Sequence, residues 1–173
     1  MKFKKTLIIK TFFILLVSQL LFNTSKAYSA EKIKITYSIF SRTIEVNSLK
    51  AFAKDGYSTK TLKKILKATG SSDKEIQSVL NKNFEIPITI ASKLVNSEIG
   101  NIFLTRLSSI IHTPNTSDTK TGILALKASI IKGLYLGKGE INLITFFEGY
   151  PTKTMILDVN ALSKVMNLSL IHI

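Results

Sequence analysis

Cysteine and tryptophan are absent from this 173-residue chain, and proline occurs only three times. Without cysteine there are no disulfides, no thiolate metal sites and no lipid-modified cysteine anchor. Histidine is nearly as scarce. His112 and His172 are the only two and do not share a helical spacing, so zinc or iron ligation has no ligand set to draw on, and no cofactor is expected. His112 reads as a helix-end residue, where an imidazole complements the terminal carbonyls. Arginine is limited to Arg42 and Arg106, and the other basic residues are lysines. Lysine is a hydrated point charge, poorly suited to the bidentate phosphate and base contacts of arginine.

Sequence motifs for catalysis are missing as well. A serine hydrolase presents its nucleophile on a G-x-S-x-G elbow at a strained strand-to-helix turn, and no such motif occurs. The nearest run, Gly133-Leu134-Tyr135-Leu136-Gly137, has tyrosine in the nucleophile's place and reads as a flexible loop. Gly137-Lys138-Gly139 lacks the spacing of either phosphate-binding glycine motif. Glu45, Asp55, Glu98, Glu140, Glu148 and Asp158 are scattered along the chain. A glycosidase-type carboxylate pair would have to be assembled by the fold. No catalytic residue is assigned.

The first 30 residues are the most informative stretch present. Lys2, Lys4, Lys5 and Lys10 precede the apolar run Thr11–Phe22, and small residues follow through Ala30. A basic start, a short apolar run and small residues at a candidate cut describe a secretory signal peptide. Twelve apolar residues are too few to span a bilayer, which takes about 20. Cuts after Ala27 or after Ser29 both place small residues at −3 and −1, and the alternative is an uncleaved anchor. The expected organisation is a signal peptide over 1–29, one domain over 30–168 and a short tail over 169–173. The expected address is the periplasm or a thylakoid lumen, where nucleic acid is not a partner. The full-chain charge of +13 overstates the mature basicity, because five lysines fall in the leader. The mature part keeps 19 basic against 11 acidic residues, a net +8.

Beyond the leader, Ile33–Ile39 and Arg42–Val46 each alternate with period two, and Phe40-Ser41 between them predict an antiparallel hairpin. Asn47 or Ser48 is expected to cap a short helix with Leu49, Phe52 and Ala53 inward, stopped at Gly56. Ser58 opens a helix whose Leu62, Ile65 and Leu66 share one face, ending at Gly70. Its lysines, Lys60, Lys63, Lys64 and Lys67, point outward as the densest basic run and are candidate contacts for an anionic surface. Ser72-Asp73-Lys74-Glu75 reads as a capping box, with Ile76, Val79 and Leu80 on one stripe. Pro87 suits the first turn of the next helix, with Ile88, Ala91, Leu94 and Val95 as its buried side. Ser97 caps a further helix with Ile99, Ile102, Phe103, Leu107, Ile110 and Ile111 at three- and four-residue steps, broad enough for the centre of a bundle. His112–Thr121 is a polar loop, and a helix over Thr119–Lys132, apolar on most sides, is expected to be the most buried. Gly133–Gly139 breaks it. Ile141–Phe147 forms a short apolar helix closed by Gly149 and Pro151, Lys153–Asp158 a third strand, and Asp158 caps a last helix with Leu162, Val165 and Met166.

A late strand cannot stand alone in water, and a lone hairpin is marginal. The expected fold is α+β and mainly helical: a multi-helix domain closed by a small three-stranded antiparallel sheet made from both chain ends.

These residues resemble the N-terminal domain of a cyanobacterial family labelled alpha/beta hydrolase of unknown function. The resemblance rests on the run Tyr37–Gly56, on Val95-Asn96-Ser97-Glu98-Ile99-Gly100, on Ala125-Leu126-Lys127-Ala128, and on Gly139–Phe147 followed by Pro151-Thr152 and the strand to Asp158. It covers roughly residues 31–167, with Ser38-Ile39 standing where the family usually has glycine-proline. The resemblance implies a domain that, in longer members, precedes an α/β-hydrolase domain carrying the nucleophile elbow. This chain is expected to stop about where that domain begins, so no catalytic residue carries over. Two functions of different class follow. One is an exported stand-alone accessory module whose partner is an exported α/β-hydrolase or other envelope protein. The other is esterase-like activity, as the family label implies. Peripheral binding to anionic lipid through the lysine-rich helix is a third.

Overall fold

The computed structural model describes residues 29–68, 70–114 and 118–171. Apart from Ser29, the expected signal segment lies outside them, as do His172 and the side chain of Met166.

The chain begins with a hairpin, β1 (Lys32–Tyr37) and β2 (Phe40–Glu45), paired antiparallel from Lys32↔Glu45 to Tyr37↔Phe40. The turn is therefore Ser38-Ile39 and not Phe40-Ser41. Two physical facts set this register. Ser38 adopts a left-handed φ of 53°, which allows the tight two-residue turn. The earlier turn also places Ile33 opposite Ile44, both buried, whereas a turn at Phe40-Ser41 would set Ile33 opposite Ser48. Register follows the apolar face.

Helix α1 (Val46–Asp55) starts directly from β2, so Glu45 is the boundary residue without a side-chain cap, and neither Asn47 nor Ser48 caps it. Its Val46, Leu49, Phe52 and Ala53 are buried, and Gly56 at φ 72° ends it. Helix α2 (Lys60–Ala68) is opened by Thr59, whose Oγ1 accepts the Leu62 N–H at 3.2 Å, one residue later than expected. Helix α3 (Asp73–Asn81) carries the predicted capping box: Ser72 accepts from Glu75 N–H while Glu75 accepts from Ser72 N–H. A two-residue strand β3 (Phe84–Glu85) follows, then α4 (Ile88–Asn96) after Pro87, and α5 (Glu98–Ile110) capped by Ser97. After β4 (Ile111–His112) comes α6 (Thr119–Leu136), capped by Asp118. Strand β5 (Glu140–Ile141), helix α7 (Leu143–Gly149), strand β6 (Thr154–Asp158) and helix α8 (Val159–Ile171) complete the order.

The two chain ends do meet in one sheet, but it is four-stranded and mixed, in the order β2-β1-β6-β4. Strand β6 runs parallel to β1, with Ile33 opposite Met155, and antiparallel to β4, with Leu157 opposite Ile111. The hairpin occupies one edge of β1, so β6 takes the other after the long helical crossover that a parallel pair requires. A second ladder joins β3 to β5.

Helix α6 is the central element. Ala125, Leu126, Ser129 and Leu134 are buried along it. Gly133 does not break it, and the helix continues to Leu136. The glycine is there for close approach: a Cβ at Gly133 would sit 3.0 Å from the Thr145 carbonyl oxygen, and one at Gly149 would sit 2.5 Å from that of Ser129. These two positions let α7 lie directly on α6. Reversal of the chain falls to Lys138 and Gly139, both at positive φ. Asn142 and Thr145 form a second capping box, which starts α7 two residues after Ile141.

Candidate interaction surfaces

Lys60, Lys63, Lys64 and Lys67 lie at i, i+3, i+4 and i+7 of α2, so they share one helix face. All four are exposed, while Leu62 and Leu66 are buried on the opposite side. The structure adds a neighbour that the sequence reading missed. Ile35, Tyr37, Phe40 and Arg42 project from one face of the hairpin, the face whose inner end is Ile33 and Ile44. With Ser41, Lys64 and Ile65 they line an open pocket of about 320 Å³. Two cations and two aromatic rings therefore wall one cavity, with no carboxylate among its lining residues. Arg42 Nη1 donates to the Ser41 carbonyl at 3.2 Å. At the tip of the hairpin, Tyr37, Ile39 and Phe40 are 59%, 89% and 65% exposed. The available signal in the sequence was an isoleucine flanked by aromatics at a turn apex, where Gly, Asn or Asp is the usual choice.

A second surface comes from a correction. The expected buried stripe of α5 is split between two sides. Leu104 and Ile110 are buried, but Ile99, Ile102 and Phe103 are 76%, 56% and 61% exposed. Helix α4 shows the same division, with Ala91 and Val95 buried and Ile88 and Leu94 exposed. The α5 helix lies at the side of the bundle and packs its Gly100–Leu104–Ser108 face inward. Its outward face carries an apolar ridge, Ile99-Ile102-Phe103, with Arg106 one turn further on.

A third concavity, about 310 Å³ and almost wholly apolar, is lined by Val79, Lys82, Phe84, Ile141, Asn142, Leu143 and Phe146. Lys82 Nζ stands 5.5 Å from the Phe84 ring centroid. Asn83 ties its rim together, donating to Glu140 at 2.6 Å and accepting from Asn142 at 2.8 Å. No nucleophile paired with a base faces it.

Nothing in the described residues assembles a catalytic constellation. His112 Nδ1 lies 3.2 Å from the carbonyl of Thr113, on strand β4 and not at a helix end. Ser129 is fully buried and its hydroxyl is engaged by the Phe146 carbonyl. Glu148 is paired with Lys50 at 2.6 Å. Among the described residues no three His, Asp or Glu side chains converge as a metal site would require. Burial raises the Tyr150 phenol well above its ordinary value, and its hydroxyl makes no hydrogen bond. That phenol lies inside the core.

The described residues form a mainly helical domain with a four-stranded mixed sheet, and exposed apolar and basic faces are its distinctive surface features. By its sequence the chain belongs to the family described as Alpha/beta hydrolase of unknown function (DUF1400), whose model matches residues 29–158. Comparison with curated proteins and with solved structures finds no match.

Proposed function

We propose that this chain is an exported accessory domain that docks an α/β-hydrolase catalytic domain through α5. The observation that carries the proposal is the outward ridge of Ile99, Ile102 and Phe103. Contiguous exposed apolar side chains on a soluble domain mark contact sites, and aromatic residues with a neighbouring arginine are the types that anchor interfaces. The family's description as an alpha/beta hydrolase supports a hydrolase as the partner proposed here, as does the lack of a G-x-S-x-G elbow in the given sequence. Catalysis in this reading belongs to the partner, and this domain positions or stabilises it.

Export rests on the basic and apolar leader, and the periplasm or a thylakoid lumen is the proposed compartment. Of the two candidate cuts, the one after Ala27 leaves Ser29 in the mature chain. Ser29 Oγ donates to the Glu148 carbonyl at 2.5 Å, and Ala30 is buried in the core. A mature N-terminus at Tyr28 therefore keeps an anchor that a cut after Ser29 would discard, and N-terminal sequencing of the exported protein reads which is used.

The docking test mixes the purified chain with a purified α/β-hydrolase catalytic domain of the same family. Co-elution on size exclusion is expected for the wild type and for Val79→Ser, whose site lies on α3. It is expected to be lost in Ile102→Asp and Phe103→Lys. Absence of co-elution with an active catalytic domain, or equal co-elution of all four proteins, overturns the proposal.

A further inference from the structure

The α5 ridge leaves the opposite specialisation of the molecule, the hairpin tip and the lysine face of α2, without a role. We infer that this second surface is a peripheral membrane-docking site for a bilayer containing anionic lipid, with the hairpin tip entering the headgroup region and the cations lying at the level of the phosphates.

The apolar half of the site is Tyr37, Ile39 and Phe40. Ile39, at 89%, is the most exposed large apolar side chain among the described residues. It gains nothing from the fold, and a β-branched residue is a poor choice for a tight turn. At a membrane interface the same three side chains are well placed, because tyrosine and phenylalanine sit at headgroup depth and an aliphatic apex reaches the acyl boundary.

The charged half is the collar. Arg42 and Lys64 line the pocket directly behind the two rings. Lys60, Lys63 and Lys67 continue from Lys64 along the same face of α2, over about 10 Å of helix at 1.5 Å per residue. Neither Arg42 nor any of the four lysines pairs with a carboxylate among the described residues. A cationic stripe beside an apolar tip complements a surface of phosphodiesters over hydrocarbon. The pocket between them, apolar-walled and dibasic, has the chemistry to receive one anionic headgroup. This inference is independent of the hydrolase-docking reading, since it uses a different surface and a different partner.

The chain contains no tryptophan, so Ile39→Trp places a single reporter at the tip of the full chain. With vesicles of about three parts phosphatidylglycerol to seven parts phosphatidylcholine, its emission should shift to the blue as the tip leaves water. Pure phosphatidylcholine vesicles should give no shift. Each lysine near an anionic surface contributes roughly fivefold in affinity. Adding Lys60→Gln, Lys63→Gln, Lys64→Gln and Lys67→Gln together should therefore raise the lipid concentration at half-shift at least tenfold. The helical circular dichroism signal verifies that this variant is folded. On the reporter protein without those changes, high salt should act in the same direction, because screening shortens from about 10 Å at 0.1 M to about 3 Å at 1 M. Soluble glycerol phosphate at matched phosphate concentration should produce no shift. The inference is overturned by an unshifted tip on anionic vesicles, by an equal shift on phosphatidylcholine, by a shift indifferent to both lysines and salt, or by an equal shift with soluble headgroup. Because the reporter reads the tip itself, vesicle affinity of the N-terminal leader does not mimic the result.

Discussion

Leu104 and Ile99 lie five residues apart on different faces of α5, and replacing each by alanine separates core from contact surface. Leu104 is 1% exposed and Ile99 is 76% exposed. Deleting the buried leucine side chain forfeits its transfer energy and leaves a cavity, for a loss of about 3 kcal/mol within the usual 2–5 kcal/mol range. Ile99 keeps only roughly 40 Å² of apolar surface covered, at most about 1 kcal/mol at 25 cal/mol per Å². Alanine returns a few tenths of that through its higher helix propensity, so Ile99→Ala should cost about 0.5 kcal/mol. The assay is urea unfolding followed by circular dichroism. With a slope of about 2 kcal/mol/M, Leu104→Ala should lower the midpoint by about 1.5 M and Ile99→Ala by about 0.3 M or less, both at unchanged slope. Equal midpoint losses would refute the reasoning, because they would mean that the chain itself covers the ridge and that no partner is needed to bury it.

Three further outcomes follow from the core and the caps. Gly149→Ala places a methyl 2.5 Å from the Ser129 carbonyl oxygen and 2.8 Å from the Gly133 nitrogen, so α7 must move off α6. A loss of about 2 kcal/mol, or about 5 °C in Tm, is expected by calorimetry, and an unchanged Tm contradicts the close approach. Tyr150→Phe removes a buried hydroxyl that has no partner and should stabilise by about 1 kcal/mol. Burial raises this phenol above its ordinary 10.0, so its contribution is intact below pH 10 and is lost as the unfolded chain ionises above it. The wild type should therefore lose stability more steeply than Tyr150→Phe in alkaline titration, and parallel curves contradict the assignment. At the acid end, the Ser72 N–H, then its hydroxyl, hold the Glu75 carboxyl below its ordinary 4.5, and the Thr121 hydroxyl, then the Lys120 and Thr121 N–H groups, hold Asp118 below 3.8. Both folded values are depressed, so these caps contribute fully above about pH 5 and fade as pH falls through the folded values. Glu75→Gln removes the titrating carboxyl while an amide oxygen can still accept from the Ser72 N–H, so it should flatten that acid-side loss, which urea midpoints at pH 3 and pH 6 would read, and an unaltered pH dependence counts against the cap.

Part of the local chemistry was legible in the sequence, while the hairpin turn, the starts of α1 and α2 and the long-range geometry were not. Ser72 with Glu75, Ser97 before Glu98 and Asp158 before Val159 all cap as read, because each satisfies backbone N–H groups within three residues of itself. Gly56 ends α1 for a different local reason, a left-handed φ of 72° that glycine adopts without strain. The parallel pairing of β1 with β6 depends on where a long helical crossover delivers the chain, which no local pattern encodes. Strands β3, β4 and β5 are two residues each and carry no period at all. Gly133 looked like a breaker because its partner, the α7 backbone, is distant in sequence. The ridge on α5 failed in an instructive way: periodicity located an apolar face, but it cannot say whether the same chain covers it. Of the two surfaces, the lysine face of α2 was readable from its spacing. Its hairpin neighbour became visible only when the fold set Lys64 beside Tyr37, Phe40 and Arg42.

The central claim is that the α5 ridge is buried by an α/β-hydrolase domain, and calorimetric titration of the two purified proteins across several temperatures tests it most directly. Burial of apolar surface gives a negative heat-capacity change on binding. The account predicts saturable one-to-one binding with a negative heat-capacity change, abolished in Phe103→Lys and retained in Lys64→Gln. No heat of binding at any temperature, or binding that Phe103→Lys leaves intact, would contradict it.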